Sequence, residues 1–206
     1  MNFISEIIIW LLAWGVGMGT YYAFFRPVHL NYHNHTFVNM TWYSSAIFVA
    51  FIIFSEELLP LVVNADASII TFFFFFPVFL LLYFKEIFLN PGDEDGIKYK
   101  KYLFSKILEI LFQQEMFVAG LYIFSGNALY FAIFFCLAHL PLVFFVEPKY
   151  AWLFIAVSPF GGYTFAYLIL NIQNGIFYSF SVHVIFYIIL NYLSYKKVLP
   201  LNPSEI

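Results

Sequence analysis

An all-α, polytopic transmembrane helical bundle of about seven spans is the fold this 206-residue chain predicts. Three observations predict it. The chain is 63% hydrophobic and only 10% charged, whereas soluble domains carry roughly a quarter charged residues. Its apolar residues fall in runs close to the roughly 20 residues that a spanning helix needs. Its basic residues cluster in alternate connections between those runs, as cytoplasmic loops do. So few charges cannot cover a globule with solvated groups, which argues against a soluble enzyme and a disordered chain. A net charge of −3 leaves no basic field for nucleic acid.

The first run, residues 3–25, ends at Arg26-Pro27. It lacks a basic leader and a small-residue cleavage site, so it reads as a span rather than a cleaved signal peptide. Gly15 and Gly19 in it have the GxxxG spacing that allows close helix packing, and ordinary membrane-helix glycine is the other reading. The second run, residues 42–63, has an irregular far end at Glu56-Glu57 and Pro60. The third, residues 67–89, holds five consecutive Phe at 72–76. Residues 90–101 follow as a polar loop, because Asn-Pro-Gly-Asp-Glu-Asp-Gly is turn-rich and predicts no helix. The remaining spans are residues 103–124, 128–146, 150–172 and 176–195.

Alternate connections hold Arg26, then Lys85, Lys98, Lys100 and Lys101, then Lys149, then Lys196 and Lys197; the others hold none. Seven spans with the N-terminus outside and the C-terminus cytoplasmic put the basic residues inside. The sequons at Asn34 and Asn39 then fall on the cytoplasmic side and carry no weight. Residues 1–206 form a single membrane domain without an internal repeat. The expected location is the plasma (inner) membrane of a bacterium, with membrane lipid as the first partner.

Ionisable groups inside a span are functional candidates. Glu115 lies about 18 Å from the cytoplasmic start of its span, and His139 a similar distance from the outer start of its own. His183 is nearer the outer side, and Gln114 sits beside Glu115. A carboxylate and an imidazole can activate water and protonate a leaving amine. A second imidazole can donate to the developing oxyanion. Glu115, His139 and His183 are equally a ligand set for a divalent metal such as zinc, with an open fourth position. A Glu–His contact that only ties helices together is the third reading of the same residues. Lys106 and Glu109 read as interfacial, as do Glu56 and Glu57. His29, His33 and His35 read as a solvated loop, and the single Cys136 as a small buried hydrophobe.

At these residues the chain resembles the CPBP intramembrane proteases, the group of CAAX prenyl endopeptidases and bacteriocin-processing or immunity proteins. Phe135-Cys136-Leu137-Ala138-His139-Leu140-Pro141 is similar to the second family motif, F-x-x-x-H. Asn174-Gly175, Ser179, His183 and Tyr187 resemble the third, and Gly161-Gly162 the small-residue stretch before it. The likeness covers residues 103–195. The first motif, E-E-x-x-x-R-G, departs: anchored on Gly120, it reads Gln114, Glu115 and Ala119 at its three charged positions. Tyr187 replaces the Asn or Asp of the third motif, and Asn191 lies two turns beyond His183.

The resemblance implies an intramembrane endopeptidase acting on a membrane-embedded or lipid-linked carboxyl-terminal peptide. Glu115 would activate water with His139 assisting, His183 would stabilise the oxyanion, and Gln114 would orient water or substrate. The alternatives are a catalytically inactive scaffold or immunity-type binder, and a small transporter or proton-path subunit. Convergence of Glu115, His139 and His183 on one water favours catalysis. Gln114 facing the histidines while Glu115 turns away favours the inactive binder.

Overall fold

The computed structural model describes residues 3–25, 27–28, 30, 32, 35–63, 66, 94–124, 126–145 and 148–195. The predicted third span, residues 67–89, lies outside them, as do Arg26, His29 and His33. Among the described residues the chain is all-helical, with seven α-helices. These are α1 (Phe3–Thr20), α2 (Thr36–Ile53), α3 (Ser55–Val63), α4 (Glu94–Ile123), α5 (Ala128–His139), α6 (Pro148–Asn171) and α7 (Gly175–Tyr195). Three of the described stretches are long and apolar enough to cross a membrane: Phe3–Phe25, Thr36–Ile53 and Ala151–Asn171. Shorter apolar helical stretches run over Ala128–Phe144 and Gly175–Leu190.

The centre of the molecule is α4, 30 residues or about 45 Å long. It packs against α1, α2, α3 and α7. Its described face is almost continuously buried from Tyr102 to Leu121, including Ile110, Met116, Phe117 and Ala119 at 0% exposure. It also carries Lys106, Glu109 and Glu115, so it is not apolar in the sense of α1 or α6. This helix begins at Glu94, inside the stretch predicted as a loop. Helix therefore runs through the Asp-Gly at 95–96 that the sequence reads as a turn.

The second predicted span is also different. Its helix starts earlier, at Thr36, and breaks at Phe54, whose buried ring leaves room for a new helix start with Glu56 and Glu57 in the first turn of α3. Thr36 and Asn39 are helical and buried rather than parts of a solvated loop. The Asn39 amide donates to the carbonyls of Leu30 (3.1 Å) and His35 (3.0 Å), which ties the preceding segment to α2.

The first helix ends in a π-helical turn, Tyr21–Phe25. Indole groups pin it to its neighbours: Trp10 donates to the Met116 carbonyl (2.7 Å) on α4, and Trp42 on α2 donates to the Gly17 carbonyl (3.0 Å). The glycines of α1 divide in a way the GxxxG spacing does not predict. A Cβ on Gly17 would collide with the Phe112 ring, whereas one on Gly15 or Gly19 meets nothing within 4 Å. Gly17 therefore makes the close approach, and Gly15 and Gly19 border open space.

Asn127 caps α5, its side-chain oxygen accepting from the N–H groups of Leu129 and Tyr130. The predicted fifth span does not continue as one helix. α5 ends at His139, and a 3-10 turn, Leu140–Phe144, follows. Pro141 explains this, since it has no N–H for an α-helical bond and its ring crowds the preceding turn. α5 and α6 approach closely at Gly162, where a Cβ would lie 3.1 Å from the Phe135 Cβ and 3.2 Å from the Ala132 Cα. The turn into α7 places Asn174 at φ 58° and brings Gly175 against the Leu168 carbonyl, where no side chain fits. Asp66 accepts from Gln173 (3.1 Å) and Asn174 (2.5 Å) at this turn.

Candidate functional site

A cavity of about 470 Å³ lies among α1, α4, the end of α5, α6 and α7. Most of its lining is apolar, from residues such as Trp14, Met18, Leu142, Phe154 and Phe165. Glu109, Gln113, His139, Ser158 and His183 supply its polar groups, with Tyr22 and Tyr187 beside them. That volume falls in the range of about 300–1,000 Å³ usual for small-ligand sites. The structure thus brings His139 and His183 to one cavity.

His183 is fixed by a chain of hydrogen bonds. The Ser179 hydroxyl donates to the Gln114 side-chain oxygen (2.8 Å), which orients the amide so that its NH₂ meets His183 Nδ1 at 3.3 Å. Nδ1 is then an acceptor, and in the neutral imidazole the proton sits on Nε2. Aromatic rings hold the imidazole flat: Phe117 stacks on it at 5.9 Å and 13°, with Phe165 at 5.0 Å and Tyr187 at 5.4 Å. His139 takes the opposite tautomer. Its Nδ1 lies 2.7 Å from the Phe135 carbonyl, which can only accept, so Nδ1 carries the proton and Nε2 offers a lone pair. The cavity therefore has one imidazole donor and one imidazole acceptor.

Glu115 does not join them. It is absent from the cavity lining, and its Oε2 is buried without a hydrogen-bond partner. The reason is helical geometry: neighbours on a helix point about 100° apart. With Gln114 turned to His183, Glu115 faces elsewhere. The sequence-based trio of Glu115, His139 and His183 is thus not assembled. Among the described residues, no three His, Cys, Asp or Glu side chains gather as metal ligands. The zinc ligand set that the sequence left open is therefore not gathered in this arrangement.

Lys106 and Glu109 also correct the sequence reading. They are not solvated, for each is 1% exposed, and Lys106 Nζ bonds both Glu109 oxygens at 2.9 and 3.0 Å. Gln113 donates to the same carboxylate at 2.7 Å, and Tyr32 donates to its Oε2. Because the Tyr32 proton goes to Glu109, Tyr43 donates in the 3.0 Å contact between the two hydroxyls. The ammonium also sits 4.2 Å from the centre of the Tyr187 ring, a cation–π distance. Tyr187 thus links this network to His183. The spacing 106, 109, 113 places all three residues on one helix face, and that was the signal available in the sequence. Tyr32 and Tyr43 gave none, since their role depends on how the segment before α2 folds back onto α4.

Ala119, where the resemblance would place an arginine, is 0% exposed and packed in the core. No long charged side chain fits there. No protein-family profile, curated protein or solved structure matches this chain.

Proposed function

We propose that this is an integral membrane protein of seven spans, N-terminus outside and C-terminus cytoplasmic, in a bacterial plasma membrane. Following the resemblance of residues 103–195 to the CPBP proteases, its cavity binds a membrane-embedded or lipid-linked carboxyl-terminal peptide without hydrolysing it. The exposed apolar side chains of α1, including Ile4, Leu12 and Val16, support the membrane setting.

One observation carries the non-catalytic reading. The group held against His183 is the Gln114 amide, which cannot accept a proton from water, while Glu115 stays off the cavity. The carboxylate that does reach the cavity, Glu109, is ion-paired with Lys106 and accepts from Gln113 and Tyr32. Its lone pairs are committed, so it is a poor general base.

The paired tautomers favour a second reading. His139 Nε2 could take the proton of an attacking water as its oxygen bonds the scissile carbonyl carbon. His183 Nε2–H would donate to the oxyanion, and His139 would return the proton to the departing amine as the C–N bond breaks. Release of an anchored reporter peptide in cells separates the two. The binder reading expects no release by the parent protein or by His139→Ala/His183→Ala. Release by the parent that the double variant abolishes would replace binding with hydrolysis. Gln114→Glu tests the same point conversely, because it puts a carboxylate back beside His183.

A further inference from the structure

The cavity has two unlike parts. On the α1 side, Gly15 and Gly19 line it, and a Cβ on either meets nothing within 4 Å. At its rim, Phe160 on α6 and Phe186 on α7 are 76% and 47% exposed. An apolar chain can therefore enter between apolar groups and lie against helix backbone. At the polar end, His183 lines the cavity with its Nδ1 taken by Gln114, so Nε2–H is the group it has left to offer an occupant. His139 Nε2 likewise offers an unused lone pair. One imidazole offers a donor and the other an acceptor to the same cavity, which points to an occupant whose head supplies one acceptor and one donor.

We propose that the cavity recognises a terminal carboxyl group, taken up un-ionised, on a single apolar chain. Its O–H donates to His139 Nε2 and its carbonyl accepts from His183 Nε2–H. A fixed-charge head such as phosphate or a quaternary ammonium lacks a counter-charge here, because Lys106 and Glu109 neutralise each other. A hydrocarbon without a head leaves both imidazoles unsatisfied. This inference rests on the cavity being a binding site, as proposed above, and specifies what it selects. The carboxyl could belong to a long-chain fatty acid or to the C-terminus of an apolar peptide, since both present the same group.

The test is equilibrium binding to the purified full chain in micelles. The probes are hexadecanoic acid, its methyl ester, and an apolar leucine-rich peptide with a free or a methylated carboxyl. At least one free acid is expected to bind about 10-fold or more tightly than its ester, because esterification removes the donor. The acid that binds identifies the source as lipid or peptide. His183→Ala is expected to remove that preference. Gly19→Leu controls for misfolding: its side chain enters open space, so helix content and Tm should hold while acid binding falls by about 10-fold or more. Equal binding of acid and ester, or full binding by a folded Gly19→Leu, overturns the proposal. Peptide cleavage would instead refute the non-catalytic reading and leave the acid preference standing, so the two failures are distinguishable.

Discussion

Lys106 and Glu109 form a buried ion pair whose removal can be predicted in both single and double form. Each side chain is 1% exposed, and the pair is closed by contacts of 2.9 and 3.0 Å. Lys106→Met keeps the length of the side chain and removes its charge. The Glu109 carboxylate then retains the Gln113 and Tyr32 donors but no cation. An uncompensated buried charge of this kind costs about 3–5 kcal/mol. For a chain of this size that is roughly 6–20 °C in Tm, at about 2–4 °C per kcal/mol. Glu109→Gln strands the ammonium in the same way, although the Tyr187 ring still faces it. The double variant leaves no charge behind, and replacing a whole buried pair is often close to neutral. Its Tm should therefore return to within about 4 °C of the parent, a coupling of at least about 3 kcal/mol. Far-UV circular dichroism melts in one fixed detergent read all four proteins. Additive losses in the double variant, or a Lys106→Met melt unchanged from the parent, would refute the account of a closed and water-free pair.

Two further predictions test the fold. Gly17→Ala should lower Tm, because its methyl meets the Phe112 ring held beside Trp14 and Tyr43; overpacking costs about 1–3 kcal/mol. Gly19→Ala should raise Tm by removing a helix glycine worth roughly 0.5–1 kcal/mol with nothing to clash, and equal melts would contradict the assigned roles. For the topology, a Cys136→Ser background carrying Gln173→Cys should react with an impermeant maleimide in intact cells. Lys197→Cys should react only after permeabilisation, and the reverse pattern would invert the proposed orientation.

Much of the helical architecture was legible in the sequence because it rests on local signals. The apolar runs at residues 3–25 and 150–172 match helical stretches long enough to cross a membrane, Phe3–Phe25 and Ala151–Asn171. The second run was read as irregular at Glu56-Glu57 and Pro60, and its helix breaks just before them at Phe54, whereas reading through Pro141 made α5 and its 3-10 turn one span. The turn-rich 90–101 stretch misled in the other direction, since α4 already begins at Glu94. Within the site, His139 and His183 were found because imidazoles are rare in apolar runs, and the structure places both on one cavity. Glu115 lies off that cavity, which the sequence had no rotation angle to decide. Whether Gln114 or Glu115 faces α7 is a matter of about 100° around α4, and no composition or spacing rule sets that angle.

By itself the sequence determined that this chain must be helical and largely apolar at its surface. Backbone groups in an apolar medium must bond within their own helix, and few charges leave no other surface. It also determined which residues could carry chemistry. Tertiary packing decided which of them meet. The close approaches at Gly17 and Gly162 set the seating of α1 on α4 and of α5 on α6. The Ser179–Gln114–His183 chain and the Lys106–Glu109 pair each join residues that only the assembled bundle encloses. Side-chain direction follows from how helices rotate to bury their largest faces. That long-range balance is why the cavity is lined by two histidines and by a carboxylate, Glu109, that is already paired with Lys106.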